Sequence, residues 1–361
     1  MIRPSAHQMV LQDQQRADET STIDPTPWLQ VRDVGVAGLV LLLGLASWCL
    51  PEHRWGRLAD NLAARRLRRS PGLNADELAT VKVLVGDRPT PWIEQNFRKG
   101  WLAHKYLSWM QLLACYWPRS WQPKPQLIGQ QHLDVALARG RGVLLLTANF
   151  AYQDLMAKAS LAQAGYPISH LSRNTHGFFE SKLARWLLNP IYTSIEKRFL
   201  KDRMVFREDR TEQVNALIKE KLRDNQPVMV LVTPLGRRVS VLPFLHGQIR
   251  IATGALNFAC DTGATVLPVF TVQRPDGTIQ TIVEPGLNKP KYRGRGETIE
   301  TMLQDYVPRL EVYVSEFPDQ FSFPSSSAHG EALIQPASSA MAAQPSRKDA
   351  EPKREEIAEL V

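Results

Sequence analysis

The stretch "GVLLLTANFAYQDL", Gly142 to Leu155, contains the change of pattern that decides the fold. Its apolar run, Val143 to Leu146, predicts a strand that is buried on both faces. Asn149 follows just beyond the end of this run, and Asp154 begins a segment with helical character. The layout resembles a strand that delivers a catalytic pair to the mouth of a site, except that Asn149 carries an amide and not a base.

Outward from this stretch, strand-like and helix-like segments alternate between about residues 125 and 323. The strand-like segments beyond Leu146 are 166–173, 227–233, 265–273 and 278–285. The helix-like segments are 154–164, 181–191, 210–225, 251–263 and 298–317. Apolar strands separated by helices predict an α/β domain with a mostly parallel central sheet flanked by helices.

The composition excludes some classes of function. The 361 residues carry a formal net charge of +8, which fits an anionic membrane surface, a phosphate-bearing substrate or an acidic carrier protein. The chain has no compact stripe of basic residues with interleaved aromatics, so nucleic acid is not predicted as a partner. Three widely spaced cysteines without a CxxC pair predict neither a zinc site nor a disulfide framework, and indicate a reducing compartment.

The N-terminal part suggests attachment to a membrane. Residues 1–33 are mostly polar and are predicted to be flexible, whereas residues 34–50 contain no charge. An apolar run of this length is near the lower limit for a spanning helix, so we predict a single-pass anchor, with a buried or partly inserted helix as the alternative. The arginines between Arg54 and Arg69 place the body of the protein on the cytoplasmic side of the inner membrane.

Residues 51–124 are predicted to form a basic and aromatic-rich helical region. The segment "HRWGRLADNLAARRLRR" has the pattern of an amphipathic helix on anionic headgroups, or of a surface helix packed on the domain. Leu102, Tyr106, Trp109 and Leu113 then form an apolar helical stripe, typical of a core face or of an interfacial belt. The Ser, Ala, Pro, Lys and Glu content of residues 324–361 predicts a disordered tail.

Residues 35–320 resemble the lysophospholipid acyltransferase superfamily, and within it the lipid A late (lauroyl/myristoyl) acyltransferase branch. The segment "GRGVLLLTANFAYQDL" resembles the family block in which a strand precedes His-x4-Asp/Glu. "HLSRN" resembles the segment after the second strand, where the family often has an arginine, here Arg173. The block 233–270 resembles one with a Phe-x-Gly turn, here Phe244 to Gly247, followed by a helix and a Gly-Ala-x-Val-x-Pro strand.

Three departures from the family pattern all remove ionisable groups. Asn149 stands in the place of the catalytic histidine, and Thr233 in the place of an aspartate at the end of a later strand. The closing Trp-x-His-x-Arg segment is missing after the turn formed by Pro318 to Gln320. The apolar framework remains, which indicates that the fold was kept while the chemistry or the substrate changed.

The resemblance implies a glycerolipid acyltransferase-like fold and an O-acyl transfer. In the family the histidine takes the proton of an acceptor hydroxyl, which attacks a thioester, and the carboxylate, here Asp154, orients the imidazole. Asn149 can hold a hydroxyl or donate to an oxyanion, but it cannot serve as the base. The candidates for another base are Asp154 itself and His246, followed by His170 and His176. Without the resemblance, Asn149 is interpreted as a turn residue and Asp154 as a helix N-terminal charge.

The donor and acceptor follow from the same resemblance. Acyl carrier protein or coenzyme A would bring the acyl group as a thioester, the acceptor would be a membrane lipid or glycolipid, and neither a metal nor a further cofactor is expected. Arg237 and Arg238 could grip a phosphate or a phosphopantetheine arm, or could lie in a solvated loop. Two functions therefore stay open: a membrane-anchored acyltransferase with unusual catalytic residues, and a non-catalytic relative that binds lipid or acyl carrier and assists another protein.

Overall fold

The computed structural model describes residues 31–70, 72–116, 120–173, 189–206, 211–290, 294–321 and 332–336. The helical region before the sheet contains α1 (Val31–Cys49), α2 (Trp55–Arg69), α3 (Ala75–Val85) and α4 (Lys99–Ala114). A short turn, Thr90–Trp92, and a π-helical segment, Ile93–Arg98, lead directly into α4. Of the segment 1–33 that was predicted to be flexible, residues 1–30 lie outside the described residues, as does most of the predicted tail, whereas residues 31–33 belong to α1.

The α/β part follows in the predicted order. Its strands in the first sheet are β1 (Gln126–Ile128), β2 (Val143–Thr147), β3 (Ser169–Arg173), β4 (Asp202–Phe206), β5 (Pro227–Leu231), β8 (Thr265–Gln273) and β9 (Ile279–Val283). Its helices are α5 (Gln130–Leu137), α6 (Lys158–Gln163), α7 (Asn189–Glu196), α8 (Thr211–Arg223), α9 (Gly254–Thr262) and α10 (Arg295–Glu316). The sheet order is β1-β9-β8-β2-β5-β3-β4, and the neighbouring strands are parallel except for the antiparallel pair β8 and β9. The predicted mostly parallel sheet is confirmed.

Strand β2 lies in the middle of this sheet because its side chains are apolar on both faces. Leu144 and Leu146 join the core cluster that includes α8, α9 and α10, whereas Val143 and Leu145 join the cluster on the opposite face. All of β2 is buried between β5 and β8. Since alternate side chains of a strand point to opposite faces, a run without polar residues requires helices on both sides of the sheet.

A second, smaller sheet was not predicted. Strands β6 (Val239–Phe244) and β7 (Gly247–Ala252) form an antiparallel hairpin, and β10 (Ile334–Pro336) pairs with β7. The predicted helix 251–263 therefore begins only at Gly254, and the prediction of disorder throughout residues 324–361 is wrong at β10. Leu333 and Ile334 enter the core, and burial of these two apolar side chains holds the short strand in place.

The predicted membrane-spanning anchor at residues 34–50 is not supported. Among the described residues, no helix combines the length and the apolar character that crossing a bilayer requires. Helix α1 carries Arg32 and Asp33 in its first turn, and Val40 and Leu43 are buried in a cluster shared with α2 and α4. This packing agrees with the alternative of a buried helix on the side of α1 that faces α2 and α4.

Helix α2 is packed on the protein through its apolar side. Trp55, Ala59 and Ala63 are buried, and the Trp55 ring meets Trp121 edge to face with centroids 5.5 Å apart. The structure thus agrees with the alternative of a packed surface helix, because the apolar stripe is already covered by protein. Several of its arginines stay exposed, namely Arg57, Arg65, Arg66, Arg68 and Arg69.

Candidate functional site

A cavity of about 320 Å³ opens where β2 ends, between that strand end and helix α4. Its lining from the strand end and the following helical turn comprises Asn149, Phe150, Ala151, Tyr152, Asp154, Leu155 and Met156. The lining from the other elements comprises Trp101, Lys105, Ser108, Trp109, Gln111, Leu112, Tyr192 and Gln320. The carboxyl end of a central strand is where α/β proteins commonly bind their ligands, so this cavity is the candidate active site.

Asn149 is held at this cavity by its neighbours in the chain. The next residue, Phe150, forms a β-bridge with Phe321, and the two rings meet edge to face with centroids 5.3 Å apart. The Ala151 N–H then donates to the Gln320 carbonyl at 2.8 Å. Asn149 itself is exposed, so its amide is available to a bound molecule while the backbone on its C-terminal side is fixed.

Asp154 lies in a π-helical turn, Gln153–Ala157, which continues into α6. The Tyr192 hydroxyl donates to its Oδ2 at 3.0 Å, and the Lys158 Nζ lies 3.7 Å from its Oδ1. Burial raises the pKa of the Tyr192 phenol well above its ordinary value, and the charges of Asp154 and Glu196 raise it further, so the phenol remains a donor. These contacts fix the orientation of the carboxylate, because each of its two oxygens has a partner on a neighbouring element.

A buried network of charges lies behind Asp154. Lys158 is 1% exposed and forms an ion pair with Glu196, which is 2% exposed. Glu196 also lies 3.3 Å from His170 Nδ1 and 3.7 Å from Arg203 Nε. His170, considered as a base from the sequence, is thus buried in this network, does not line the cavity, and contributes to holding α6, α7, β3 and β4 together. His176 lies outside the described residues.

The hairpin residues predicted for the site are placed elsewhere in the described structure. Phe244 is buried in the main core, and the His246 N–H donates to the Val83 carbonyl at 3.2 Å. A Cβ on Gly247 would lie 2.4 Å from the Gln335 carbonyl oxygen, so the glycine there is explained by strand packing. These three residues are absent from the described lining of the cavity, and the structure does not bring His246 to Asn149.

The arginines that were predicted to bind the substrate are also absent from the described lining of the cavity. Arg237 and Arg238 are exposed in the segment after β5, where the Arg238 carbonyl accepts a hydrogen bond of 3.0 Å from the Thr253 N–H. Arg173 ends β3, and its side chain lies outside the description. Of the candidate site residues that the structure describes, the cavity brings together Asn149 and Asp154.

Helix α4 contributes a cation that the sequence analysis did not identify. The Lys105 Nζ lies 5.2 Å from the centre of the Trp101 ring and 5.1 Å from that of Trp109. All three side chains line the cavity, at positions i, i+4 and i+8 of the helix. The signal in the sequence is the spacing Trp-x3-Lys-x3-Trp, of which only Trp109 belongs to the predicted apolar stripe.

A second set of polar groups meets at Tyr152, on the same wall as Asn149. The Tyr152 Oη lies 2.7 Å from His104 Nδ1 and 2.9 Å from Gln273 Oε1. His104 Nε2 in turn lies 3.6 Å from Asp319 Oδ2. Burial raises the pKa of the Tyr152 phenol well above its ordinary value, and the charges of Asp319 and Asp60 raise it further. Tyr152 is therefore protonated over the physiological range of pH.

The described residues were also compared with the arrangements of side chains that bind metal ions. Within those residues, no group of three or more His, Cys, Asp or Glu side chains is arranged to hold a metal ion. The lining of the cavity instead includes three side-chain amides, a hydroxyl, a carboxylate, two phenols and an ammonium group. Such groups are suited to orient a hydroxyl and to bind a negatively charged ligand.

Comparison with known proteins adds the family. A comparison with curated proteins finds no match. A family model described as "Bacterial lipid A biosynthesis acyltransferase" matches residues 76–323, which contain the whole cavity lining and most of the chain. The chain belongs to the bacterial lipid A biosynthesis acyltransferase family.

Proposed function

We propose that the protein transfers a fatty acyl group from a thioester of acyl carrier protein or coenzyme A to a hydroxyl of a lipid or glycolipid, with a lipid A-like acceptor as a candidate. The observation that carries the proposal is that Asn149 and Asp154 line one cavity in a chain of this family. By the resemblance described above, these residues stand where the late-acyltransferase branch has its histidine and carboxylate.

The cavity supports this reaction through oriented polar groups. The acceptor oxygen would attack the thioester carbonyl carbon, and the carbon–sulfur bond would break. The Asn149 amide can accept from the acceptor hydroxyl or donate to the developing oxyanion, and a positioned donor of this kind is typically worth about 10²–10³-fold in rate. Asp154, held by Tyr192 and Lys158, keeps one wall of the cavity negatively charged and fixed.

Mass spectrometry of reaction products tests the proposal directly. Purified protein would be incubated with acyl carrier protein thioesters or acyl-coenzyme A of several chain lengths and with total membrane lipid. We expect an acceptor whose mass has risen by one acyl group, with release of the free thiol of the donor. Absence of product from every donor, with a folded protein, would contradict the proposal.

A second candidate function is favoured by one observation. No histidine lines the cavity within the described residues, and Asn149 cannot take a proton near neutral pH. A non-catalytic relative that binds lipid or acyl carrier would show this arrangement. The same incubation separates the two candidates, because such a protein would bind the thioester or the lipid without forming product.

Lys105 provides a prediction about donor binding. Coenzyme A and acyl carrier protein both present a phosphopantetheine phosphate, and Lys105 is a cation on the cavity wall. We expect Lys105→Met to raise KM for both donors by about 10-fold, at the low end of the range for a hydrogen bond to a charged group because this side chain is partly exposed. Steady-state kinetics with each donor measures the effect.

A double variant of Arg237 and Arg238 is the comparison for Lys105→Met. Arg237→Ala combined with Arg238→Ala removes two cations outside the described cavity lining. If these arginines bind an acidic carrier protein, the double variant raises KM for the carrier thioester and leaves KM for acyl-coenzyme A unchanged. If the double variant has an unchanged KM for both donors, Arg237 and Arg238 belong to a solvated loop. Likewise, an unchanged KM of Lys105→Met for both donors would contradict the proposed role of Lys105 in donor binding.

We also propose that the protein attaches to the cytoplasmic face of the inner membrane through the outer side of α1 and the arginines of α2. Leu41, Leu42 and Leu45 are 64%, 48% and 57% exposed, and they form one apolar side of α1. Anionic headgroups would attract the exposed arginines of the neighbouring α2 while the leucines enter the interface.

Flotation with anionic phospholipid vesicles checks this surface. Leu41→Asp combined with Leu45→Asp is expected to release most of the protein, because two charges would have to enter the apolar interface. Raising salt to 1 M should weaken wild-type binding, since the screening length falls from about 8 Å to about 3 Å. Val312→Asp, at an exposed valine of α10, is the control and should float like wild type. Equal flotation of the leucine variant and the control would contradict the proposal.

A further inference from the structure

A partly exposed histidine–carboxylate pair lies directly behind one of the residues that line the cavity. On α4, positions 101, 105, 108 and 111 line the cavity, and position 104 lies within the arc of the helix that these positions span. His104 uses this placement to reach the Tyr152 Oη with Nδ1, at 2.7 Å, while Nε2 faces Asp319 at 3.6 Å. Tyr152 itself lines the cavity beside Asn149.

The approach of Asp319 to α4 depends on a glycine. A Cβ on Gly100 would lie 2.1 Å from Asp319 Oδ2 and 3.0 Å from Asp319 Cγ, which no side chain could tolerate without moving the carboxylate. Asp319 belongs to a short 3₁₀ turn, Pro318–Gln320, and the next residue, Gln320, also lines the cavity. The absence of a side chain at position 100 thus permits the carboxylate to reach the imidazole.

We propose that Tyr152, His104 and Asp319 form the proton relay of this cavity, with Tyr152 as the catalytic residue that contacts the acceptor hydroxyl and His104 and Asp319 as positioning residues behind it. The inference rests on the proposed acyl transfer. It supplies a proton acceptor that Asn149 cannot provide.

Two proton states of the network satisfy its hydrogen bonds. With a neutral His104, the Tyr152 hydroxyl donates to Nδ1 while Nε2–H faces Asp319. With His104 charged, Nδ1–H donates to the Tyr152 oxygen, and the phenol hydrogen turns to Gln273 Oε1, 2.9 Å away. Gln273 keeps its oxygen toward the phenol because its Nε2 donates to the Gly277 carbonyl at 3.2 Å. The two states therefore differ by one proton on His104 Nδ1 and by the direction of the phenol hydrogen.

The relay accounts for every proton that moves during acyl transfer. As the acceptor oxygen attacks the carbonyl carbon, its proton moves to the Tyr152 oxygen and the phenol proton moves to His104 Nδ1. Collapse of the tetrahedral intermediate breaks the carbon–sulfur bond, and the proton returns through Tyr152 to the leaving thiolate. The high pKa of Tyr152 fits a group that passes a proton on and never accumulates as phenolate. Among the described residues, the charged groups around the relay include Asp319 on the 3₁₀ turn and Asp60 on α2, whose charges act on Tyr152, and Lys105 and Asp154, which line the same cavity.

The pH dependence of kcat tests the relay. His104→Gln and Tyr152→Phe should each lower kcat by about 10²-fold, the lower end of the effect of general base catalysis, and should remove the acid limb of the wild-type profile. Asp319→Asn should lower kcat less than either of these changes, because an amide at position 319 still faces His104 Nε2 but carries no negative charge. His53→Gln, in an exposed turn, is the control and should behave as wild type.

The outcomes separate the two proposals. Thermal unfolding of each variant first shows that it is folded, and the partly exposed His104 makes His104→Gln the variant least expected to disturb packing. If wild type transfers acyl groups and His104→Gln keeps both its kcat within about twofold and its acid limb, the relay is wrong and the proposed function stands. If folded wild type makes no product, the proposed function fails and the relay fails with it.

Discussion

Acyl transfer by a His104→Gln variant is expected to recover by about 10²-fold when Asn149 is also replaced by histidine. The new imidazole would stand at the end of β2, lining the same cavity as the Asp154 carboxylate. Asp154 is already oriented by Tyr192 and Lys158, so it can hold an imidazole in the tautomer that accepts a proton. A direct base would thereby replace the relay.

The wild-type background gives the complementary measurement. Asn149→His alone should change kcat little if the Tyr152 relay operates, because the hydroxyl already has a proton acceptor. A gain of about 10²-fold or more in the single variant would show that the wild type lacks an effective base. Both backgrounds would be measured by single-turnover kinetics with the same thioester and acceptor.

Asn149→Gln is the matched control for this rescue. Glutamine brings an amide to the position but no basic nitrogen, so it should not restore transfer to His104→Gln. If Asn149→His and Asn149→Gln give the same rate in the His104→Gln background, the recovery of acyl transfer comes from the changed size of the side chain at position 149 and not from a new base. No product from wild type or from Asn149→His, across chain lengths and both donors, would contradict acyl transfer altogether.

Lys158→Met is expected to lower the free energy of unfolding by about 3–5 kcal/mol, the usual cost of breaking a buried ion pair from one side. Lys158 is buried and is paired with Glu196, and its Nζ also lies 3.7 Å from Asp154. Methionine fills nearly the same volume without a charge. The decrease in the free energy of unfolding would therefore measure the cost of leaving the Glu196 and Asp154 carboxylates without the ammonium group. Urea denaturation followed by circular dichroism measures this decrease.

A double-mutant cycle shows whether the pair is coupled. Glu196→Gln combined with Lys158→Met should cost less than the sum of the two single changes, because the double variant removes the charges of both members of the closest pair. Lys219→Met is the control, since its ammonium pairs with Asp261 at 2.7 Å in a partly exposed position and such pairs contribute about 0–1 kcal/mol. Additive effects, or a loss in Lys158→Met no larger than in the control, would show that the network adds little stability.

The parallel sheet could be predicted because its signal is local. The run from Val143 to Leu146 has apolar side chains on both faces, and such a pattern indicates a buried strand wherever it occurs. Asn149 and Asp154 could be predicted as neighbours for the same reason, since only one turn of chain separates them. The structure places both in one cavity.

The second sheet and the packing of α1 could not be predicted, because neither is encoded in a local period. Strand β10 is three residues long and exists only through pairing with β7, which lies more than eighty residues earlier in the chain. The apolar run 34–50 fits burial in a membrane as well as burial against other helices of the chain. The structure shows the second of these for Val40 and Leu43, which pack against α2 and α4.

The sequence by itself therefore determined the α/β class, the central strand and the pair Asn149 and Asp154, whose placement follows from residues adjacent in the chain. Tertiary structure alone decided which further groups reach that pair. His104 and Tyr152 are 48 residues apart, and Asp319 approaches His104 only because Gly100 has no side chain. Contacts between distant segments depend on how helices pack on the sheet, and a single histidine within an aromatic stripe carries no local sign of the partner it will meet.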